Sequence, residues 1–293
     1  VVNVIAQLLA NGLVAGASYG LLAIAFALLY RVSGFFQFTL SSLYAVAAYA
    51  ALLSVTTPSR FTLGFAAAGL AGAALALILD NGIYRRLLAR RSPPFLPMLA
   101  SIGAVAVIEN ALALIFGPSL RVPVTVGEFV VQIGPVRMTE LRCAQFITCT
   151  AVALLVIFIL RHSEIGTQIR AVASDSELAG IHGLPVRRLV TTVTVCAALL
   201  VSVPATFAAF DTGVKPQIGA LPLLMAITAM IVGGLQSATG WLAGGIAVGI
   251  LQQVAILFLA AHWSDAMMFT VFCIALLARK NGLTREIRAR YTG

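Results

Sequence analysis

The chain has 293 residues, of which 60% are apolar and only 10% charged, and its mean hydropathy is +1.02. No water-soluble domain of this length hides so much apolar surface, so the solvent is lipid. The expected fold class is an all-α integral membrane protein, one transmembrane bundle over residues 1–293 with membrane lipid as its surroundings. The net charge of +9 comes from basic residues in short clusters between apolar runs, which reports orientation in a membrane and excludes a nucleic-acid-binding face.

A span takes about 20 predominantly apolar residues, which predicts about eight to nine helices, near 4–29, 35–54, 61–80, 95–116, 143–160, 190–210, 218–234, 241–260 and 266–279. The first run follows no basic region and precedes no Ala-x-Ala site, so it reads as a span rather than a removable signal peptide. Gly12, Gly16 and Gly20 form a stripe on it. Such stripes let helix backbones approach closely in lipid, where apolar surface alone drives no association; the same stripe would also serve a subunit interface or a gate. Gly16-Ala17-Ser18-Tyr19-Gly20 matches a hydrolase nucleophile elbow in letters only, because that elbow needs a strand-to-helix turn.

At the start of the second span Gln37, Thr39, Ser41 and Ser42 make a polar stripe. With Ser18 and Tyr19 they are candidates to line a path for a small polar solute, although isolated hydroxyls in membrane helices commonly bond their own backbone. Glu109, beside Asn110 in the fourth span, is the acidic group this reading sets deep in lipid. An ionisable group there is costly and by default functional, as path lining or proton carrier; otherwise it is kept neutral, hydrogen-bonded between helices, or nearer an edge.

Two loops exceed a turn. The outer one, 117–142, carries Pro118, Pro123, Gly127, Gly134 and Pro135 between valine-rich stretches such as 122–126 and 129–133, which predicts a small β-hairpin or extended cap. In the inner one, 161–189, Ile165, Ile169 and Val172 recur at helical spacing, and Ser174-Asp175-Ser176-Glu177 has the form of a capping box. A short second helix is therefore expected from Ser174 to Gly183, with Leu178 and Ile181 on one face and Asp175 and Glu177 in the first turn, where acidic groups suit the helix dipole. It is read either as a docking element or as a helix lying on the membrane surface.

The last three spans are short or broken at Pro222, Gly233-Gly234 and Gly244-Gly245, the mark of half-helices or re-entrant segments. Gly240, Gly244, Gly245 and Gly249 repeat the small-residue pattern of the first span. Fourteen of the nineteen basic residues fall in one set of loops, which assigns that set to the cytoplasm, with the N-terminus outside and the C-terminus inside.

Chemistry of the chain's own is not expected. Cys143, Cys149, Cys196 and Cys273 all fall in apolar segments with no metal-ligand spacing, and His162, His182 and His262 stand at or beyond membrane edges. Lys215 precedes Pro216 and Lys280 precedes Asn281, so neither is the lysine of a phosphate-binding loop. Any ATP is bound by another subunit; no catalytic, cofactor or metal site is expected here.

Four segments in order resemble the permease family of branched-chain amino-acid ABC importers, the LivH type. They are Asn11-Gly12-Leu13-Val14-Ala15-Gly16 with Leu21 to Phe26 and Tyr30; Ile169 to Asp175 with Ala179-Gly180-Ile181-His182-Gly183; Ile231-Val232-Gly233-Gly234-Leu235 with Gly240 and Gly244-Gly245; and Arg279-Lys280-Asn281-Gly282-Leu283. The resemblance implies a bacterial inner-membrane permease working with a second related permease or a second copy, two cytoplasmic ABC ATPases and an extracytoplasmic substrate-binding protein. It also implies that the helix at about 174–183 contacts the ATPase. Where the family has Asn-Phe-Ala-His-Gly this chain reads Gln37-Phe38-Thr39-Leu40-Ser41, and Glu109 stands where many relatives carry a neutral amide. Alternatives are the same machine carrying urea, an aromatic acid or a sugar, and a proton-coupled carrier using Glu109.

Overall fold

A computed structural model describes residues 2–54, 61–89, 93, 95–122, 130–133, 136–235, 237–258 and 270. The helices run in chain order as α1 (Val2–Ser33), α2 (Leu40–Ser54), α3 (Phe61–Leu79), a π turn (Asp80–Tyr84), α4 (Arg85–Ala89), α5 (Phe95–Phe116), α6 (Glu140–His162), α7 (Glu164–Ser174), α8 (Ser176–Ile181), α9 (Val186–Asp211), α10 (Ala220–Gly233) and α11 (Ala238–Phe258). Among the described residues, six helical segments are long and apolar enough to cross a membrane, and α2 and α10 are shorter apolar helices. The protein is thus a polytopic all-α membrane bundle. The predicted span at 266–279, apart from Thr270, and the basic cluster at 279–290 lie outside the described residues.

The core is built on α1. Leu21 to Leu29 are all buried, and the helix packs against α6, α9, α10 and α11. Leucine and alanine fill all sides of such a segment because it has no solvent face, the pattern of a fully enclosed helix. At the periphery, α5 and α6 show Ile102, Val107, Leu114, Leu154, Leu155 and Phe158 exposed, as expected of side chains facing acyl chains.

The two glycine stripes meet each other. A Cβ on Gly245 would stand 2.2 Å from the backbone N of Gly20, one on Gly249 2.4 Å from that of Gly16, and one on Gly16 2.6 Å from the Cα of Ile246. One step round α11, Gly244 and Gly240 press on α10, where an added Cβ would lie 2.2 Å from the Ala229 carbonyl oxygen and 2.1 Å from that of Gly233. Gly12 closes the seam against Ile250. Two small faces, offset by one residue, therefore let a single helix touch the backbones of two neighbours, gaining dispersion contacts that larger side chains would forbid.

The ends of the bundle are fastened differently. At the end opposite the basic loops, strands β1 (Val130–Ile133) and β2 (Val136–Thr139) pair antiparallel, with Val130 opposite Thr139 and Ile133 opposite Val136. The partner of the 130–133 strand is thus 136–139; most of the stretch 122–126 lies outside the described residues. Gln7 on α1 grips this hairpin: its side-chain amide donates to the Arg137 carbonyl and accepts from the Arg137 N–H, both at 2.9 Å. Nearby, Arg142 on α6 makes a two-pronged bond to Asp211 at the end of α9. Arg121 bridges Val214 and donates to the Phe116 carbonyl, closing the C-terminus of α5.

At the basic end, the third span does not stop at residue 80 as the hydropathy suggests. It continues through the π turn into α4. That turn keeps Asp80 and Tyr84 inward: the Thr191 hydroxyl of α9 donates to the Asp80 carboxylate at 2.7 Å, and the Tyr84 hydroxyl bonds Thr39 at 2.9 Å. Asp80 is 5% exposed. Replacing it with alanine orphans Thr191 and removes this bond between the π turn and α9, a loss of about 1–3 kcal/mol. Asp80→Ala should therefore lower the thermal midpoint of the purified protein clearly and Asp80→Asn only slightly; equal midpoints for Asp80→Ala and wild type would refute this brace.

Candidate functional site

Two regions combine polar groups with features a sealed bundle has no use for. The first is a seam in the middle of the bundle. Helices α2 and α10, at 15 and 14 residues, are about 22 and 21 Å long at 1.5 Å per residue, short of the roughly 30 Å hydrocarbon core. Each follows an irregular stretch, 34–39 before α2 and 212–219 before α10. Their starts touch: a Cβ on Gly219, just before α10, would lie 2.0 Å from the carbonyl oxygen of Ser41 in the first turn of α2. Two broken helices thus point their N-terminal ends, each carrying a partial positive charge, at one place inside the bundle.

Ser41 and Thr39 stand at this seam, with Gln37 buried just before them. Ser41 bonds the Phe38 carbonyl, the local back-bonding expected of such hydroxyls. On α1, Ser18 does more than bond its own backbone: it accepts from the Gln145 amide at 2.9 Å and lies 3.7 Å from the Cys149 sulfur. Tyr19 donates to Gln252 of α11 at 2.9 Å. Tyr44, one turn into α2, donates to the carbonyl of Pro204, the proline inside α9. Pro204 lacks an N–H, so the ladder of α9 is interrupted where α2 leans on it. The cavity between Leu22, Leu40, Tyr44, Gly219, Leu223 and Ala226 holds about 10 Å³. That is roughly the room of one water molecule, too small for any amino acid.

Glu109 and Asn110 are not at this seam. They lie on the peripheral α5, which packs on α2, α4 and the π turn. Asn110 is exposed and bonds the Ala106 carbonyl, while Glu109 is half-buried with Oε1 enclosed and, among the described residues, unpartnered. Ser42 Oγ and Tyr49 OH on α2 are enclosed and unpartnered in the same sense. Sequence reading missed Tyr44, Tyr84 and Asp80. The available signal was their spacing: Asp80 and Tyr84 are four apart, and Leu40 and Tyr44 share a face.

The second region is the segment between α6 and α9. Ser163 caps α7 by accepting from Gly166 N, and Gly166 lets the chain fold back so tightly that a Cβ would fall 2.2 Å from the Leu160 carbonyl oxygen. Ile169, Val172 and Ala173 are buried, anchoring α7 to the bundle. The short helix then starts one residue later than its sequence suggests. Ser174 still belongs to α7, and Asp175 is the cap, with extended backbone and a carboxylate accepting from Glu177 N and Leu178 N at 2.9 Å each. The helical hydrogen bonds of α7 carry through Ser174, with the Asp175 N–H still reaching the Ala171 carbonyl, and the carboxylate of Asp175 reaches two orphan donors at once.

The helix also ends earlier, at Ile181. Gly183, at φ 82°, lies beyond it and turns the chain with the Leu184 N–H returning to the Ala179 carbonyl, a glycine C-terminal stop. Ala179 packs inward, whereas Leu178 is 52% and Ile181 81% exposed. Two apolar side chains held out by a capped, anchored helix are available to a partner protein or to the membrane surface.

The permease-component family of the branched-chain amino acid transport system matches residues 8–276. The chain is 25% identical to the high-affinity branched-chain amino acid transport system permease protein BraD of Pseudomonas aeruginosa, and 26% identical to the LivH permease proteins of Escherichia coli and Salmonella typhimurium, over 94% of both chains in each case. Among solved structures it is similar in fold to a chain of PsaBC from Streptococcus pneumoniae in complex with Fab, with a TM-score of 0.52 and 18% identity over 91% of this chain and 90% of that one. The match to the family spans α1 to beyond α11 and takes in both the seam and the capped segment, so the chain belongs to the permease component family of branched-chain amino acid transport systems.

Proposed function

We propose that this chain is the translocation subunit of an ATP-binding-cassette importer in a bacterial inner membrane, carrying branched-chain or chemically related amino acids by alternating access. The observation that carries the reading is the α7–α8 segment, anchored through Ile169 and Val172 and presenting Leu178 and Ile181 outward. With α8 seated in a partner ATPase, closure of two ATPases on ATP pulls this segment, and the pull reaches α1 and α9, against which α7 packs. The ATP sits on those partners. A second related permease or a second copy completes the pathway, and an extracytoplasmic binding protein delivers the solute at the hairpin end. The basic end is cytoplasmic and the N-terminus outside, in keeping with the charge bias.

The substrate passes the seam between the starts of α2 and α10. Ser42 Oγ, beside Ser41 in the first turn of α2, is enclosed without a partner among the described residues, a cost that opening of the seam relieves. The test is co-purification from the native host. The ATPase pair should come down with the tagged chain and be lost on Leu178→Asp/Ile181→Asp. A tagged chain that carries no ATPase, yet transports alone under a proton gradient, would overturn the reading.

A further inference from the structure

A cavity of about 310 Å³ opens at the basic end between the α6–α7 turn and the start of α11, with α1 as its floor. Leu28, Leu160 and Ile169 line its depth, and Arg31, Arg161 and Arg170 its rim; none of the described residues that line it is acidic. Three guanidinium groups line one cavity, and an anion among them offsets their mutual repulsion.

The arginines are held in place. Arg161 donates from Nη2 to Thr239 Oγ1 at 3.1 Å, Arg170 donates to the Leu160 carbonyl and, at 2.9 Å, to Thr167 Oγ1, and Arg31 stands 5.9 Å from the Trp241 ring centroid. A guanidinium has five N–H donors, so these bonds leave Arg161 and Arg170 with donors to offer an anion. The α11 N-terminus, where Ser237 caps Gly240, adds the partial positive charge of a 21-residue helix.

The cavity straddles the level where hydrocarbon gives way to headgroups. Leu28 and Leu160 belong to membrane helices, and Arg31 and Arg161 follow them in the last turns. The exposed Leu155, Phe158 and Ile159 of α6 run up to its edge. An apolar floor under an arginine rim suits a phosphate that brings hydrocarbon with it. The volume takes a phosphate and its glycerol, leaving the acyl chains against α6. We propose that this cavity binds the headgroup of an anionic phospholipid such as phosphatidylglycerol. Because Ile169 and Arg170 belong to α7, the bound lipid also ties the α7–α8 segment to the membrane.

The test uses the full chain in nanodiscs of phosphatidylcholine with a minor share of phosphatidylglycerol, with retained lipid counted by native mass spectrometry. Wild type should retain one phosphatidylglycerol in preference to phosphatidylcholine by at least tenfold. Arg161→Ala/Arg170→Ala should lose that preference, and the charge-matched control Arg187→Ala/Arg188→Ala, two exposed arginines at the same end outside the cavity, should keep it. Absence of the preference in wild type, which needs no variant to fold, overturns the proposal, as does equal retention by the cavity variant and the control. Displacement of the lipid by millimolar inorganic phosphate would assign the cavity to a free anion instead and overturn the lipid.

Discussion

Gly245→Val is expected to leave no folded bundle. The first added carbon meets the backbone nitrogen of Gly20 at 2.2 Å, and because both groups are main chain no rotamer change relieves the overlap. The helices must separate by an ångström or more, which strips the dispersion contacts from both sides of the seam at Gly16 and Gly249 as well. Overpacking of this kind costs about 3 kcal/mol or more, a large part of the stability of any domain. The variant should be recovered as aggregate or be degraded. Gly103→Ala is the matched control: nothing lies within 4 Å of an added Cβ there, and alanine within a helix is favoured over glycine by about 0.5–1 kcal/mol. A Gly245→Val protein that purifies with wild-type yield and melting behaviour would show that the α1–α11 contact is not as close as described.

The second large effect is functional. Leu178→Asp/Ile181→Asp is expected to abolish ATP-dependent uptake while leaving the membrane bundle intact. Both side chains are exposed, so their replacement opens no cavity and should change the melting midpoint little, within about 0.5 kcal/mol. An apolar anchor seated in a partner's pocket is in contrast worth about 2 kcal/mol or more, and carboxylates in its place add a desolvation cost. Coupling through α8 should fall at least thirtyfold, read as loss of substrate-stimulated ATP hydrolysis in the assembled complex. Asp175→Ala should give a milder version by removing the cap, which is worth about 1 kcal/mol. Wild-type uptake in the double aspartate variant would remove α8 from the coupling path and favour its lying on the membrane surface.

Much of this fold is written in hydropathy because the bilayer imposes one rule on every segment. A backbone in hydrocarbon satisfies its polar groups within a helix, so long apolar runs at α1, α5, α6 and α9 announce themselves. The glycine spacing at Gly12, Gly16 and Gly20 was equally legible, since in lipid only small residues let backbones touch. What the stripe does not say is which partner it meets; the pairing with Gly245 and Gly249 is a tertiary fact. Asp80 shows the opposite limit. A lone acidic residue followed by Asn81 and Gly82 reads as the end of a span, and only the π turn, together with Thr191 more than a hundred residues away, makes it an interior group.

The cap at Asp175 was displaced by one residue for a local reason. Ser174 and Asp175 are both good N-caps, and the choice between them depends on how far α7 remains anchored by Ile169, Val172 and Ala173. The candidate path divides along the same line. Thr39 and Ser41 were identifiable as polar groups in an apolar run, and they stand where α2 meets α10. Glu109 and Asn110 have the same signature, yet they belong to the peripheral α5. Periodicity within one helix does not say which neighbour covers it.

In the proposed function the seam between α2 and α10 opens under the power of ATPases seated on α8. Its most direct measurement is uptake of radiolabelled leucine into proteoliposomes containing this chain with its partner permease, ATPases and binding protein, with ATP supplied on the ATPase side. Uptake should require ATP and the binding protein, persist when the proton gradient is collapsed, and vanish in Leu178→Asp/Ile181→Asp. Uptake by this chain alone, driven by a proton gradient, indifferent to ATP and lost on Glu109→Gln, would contradict it.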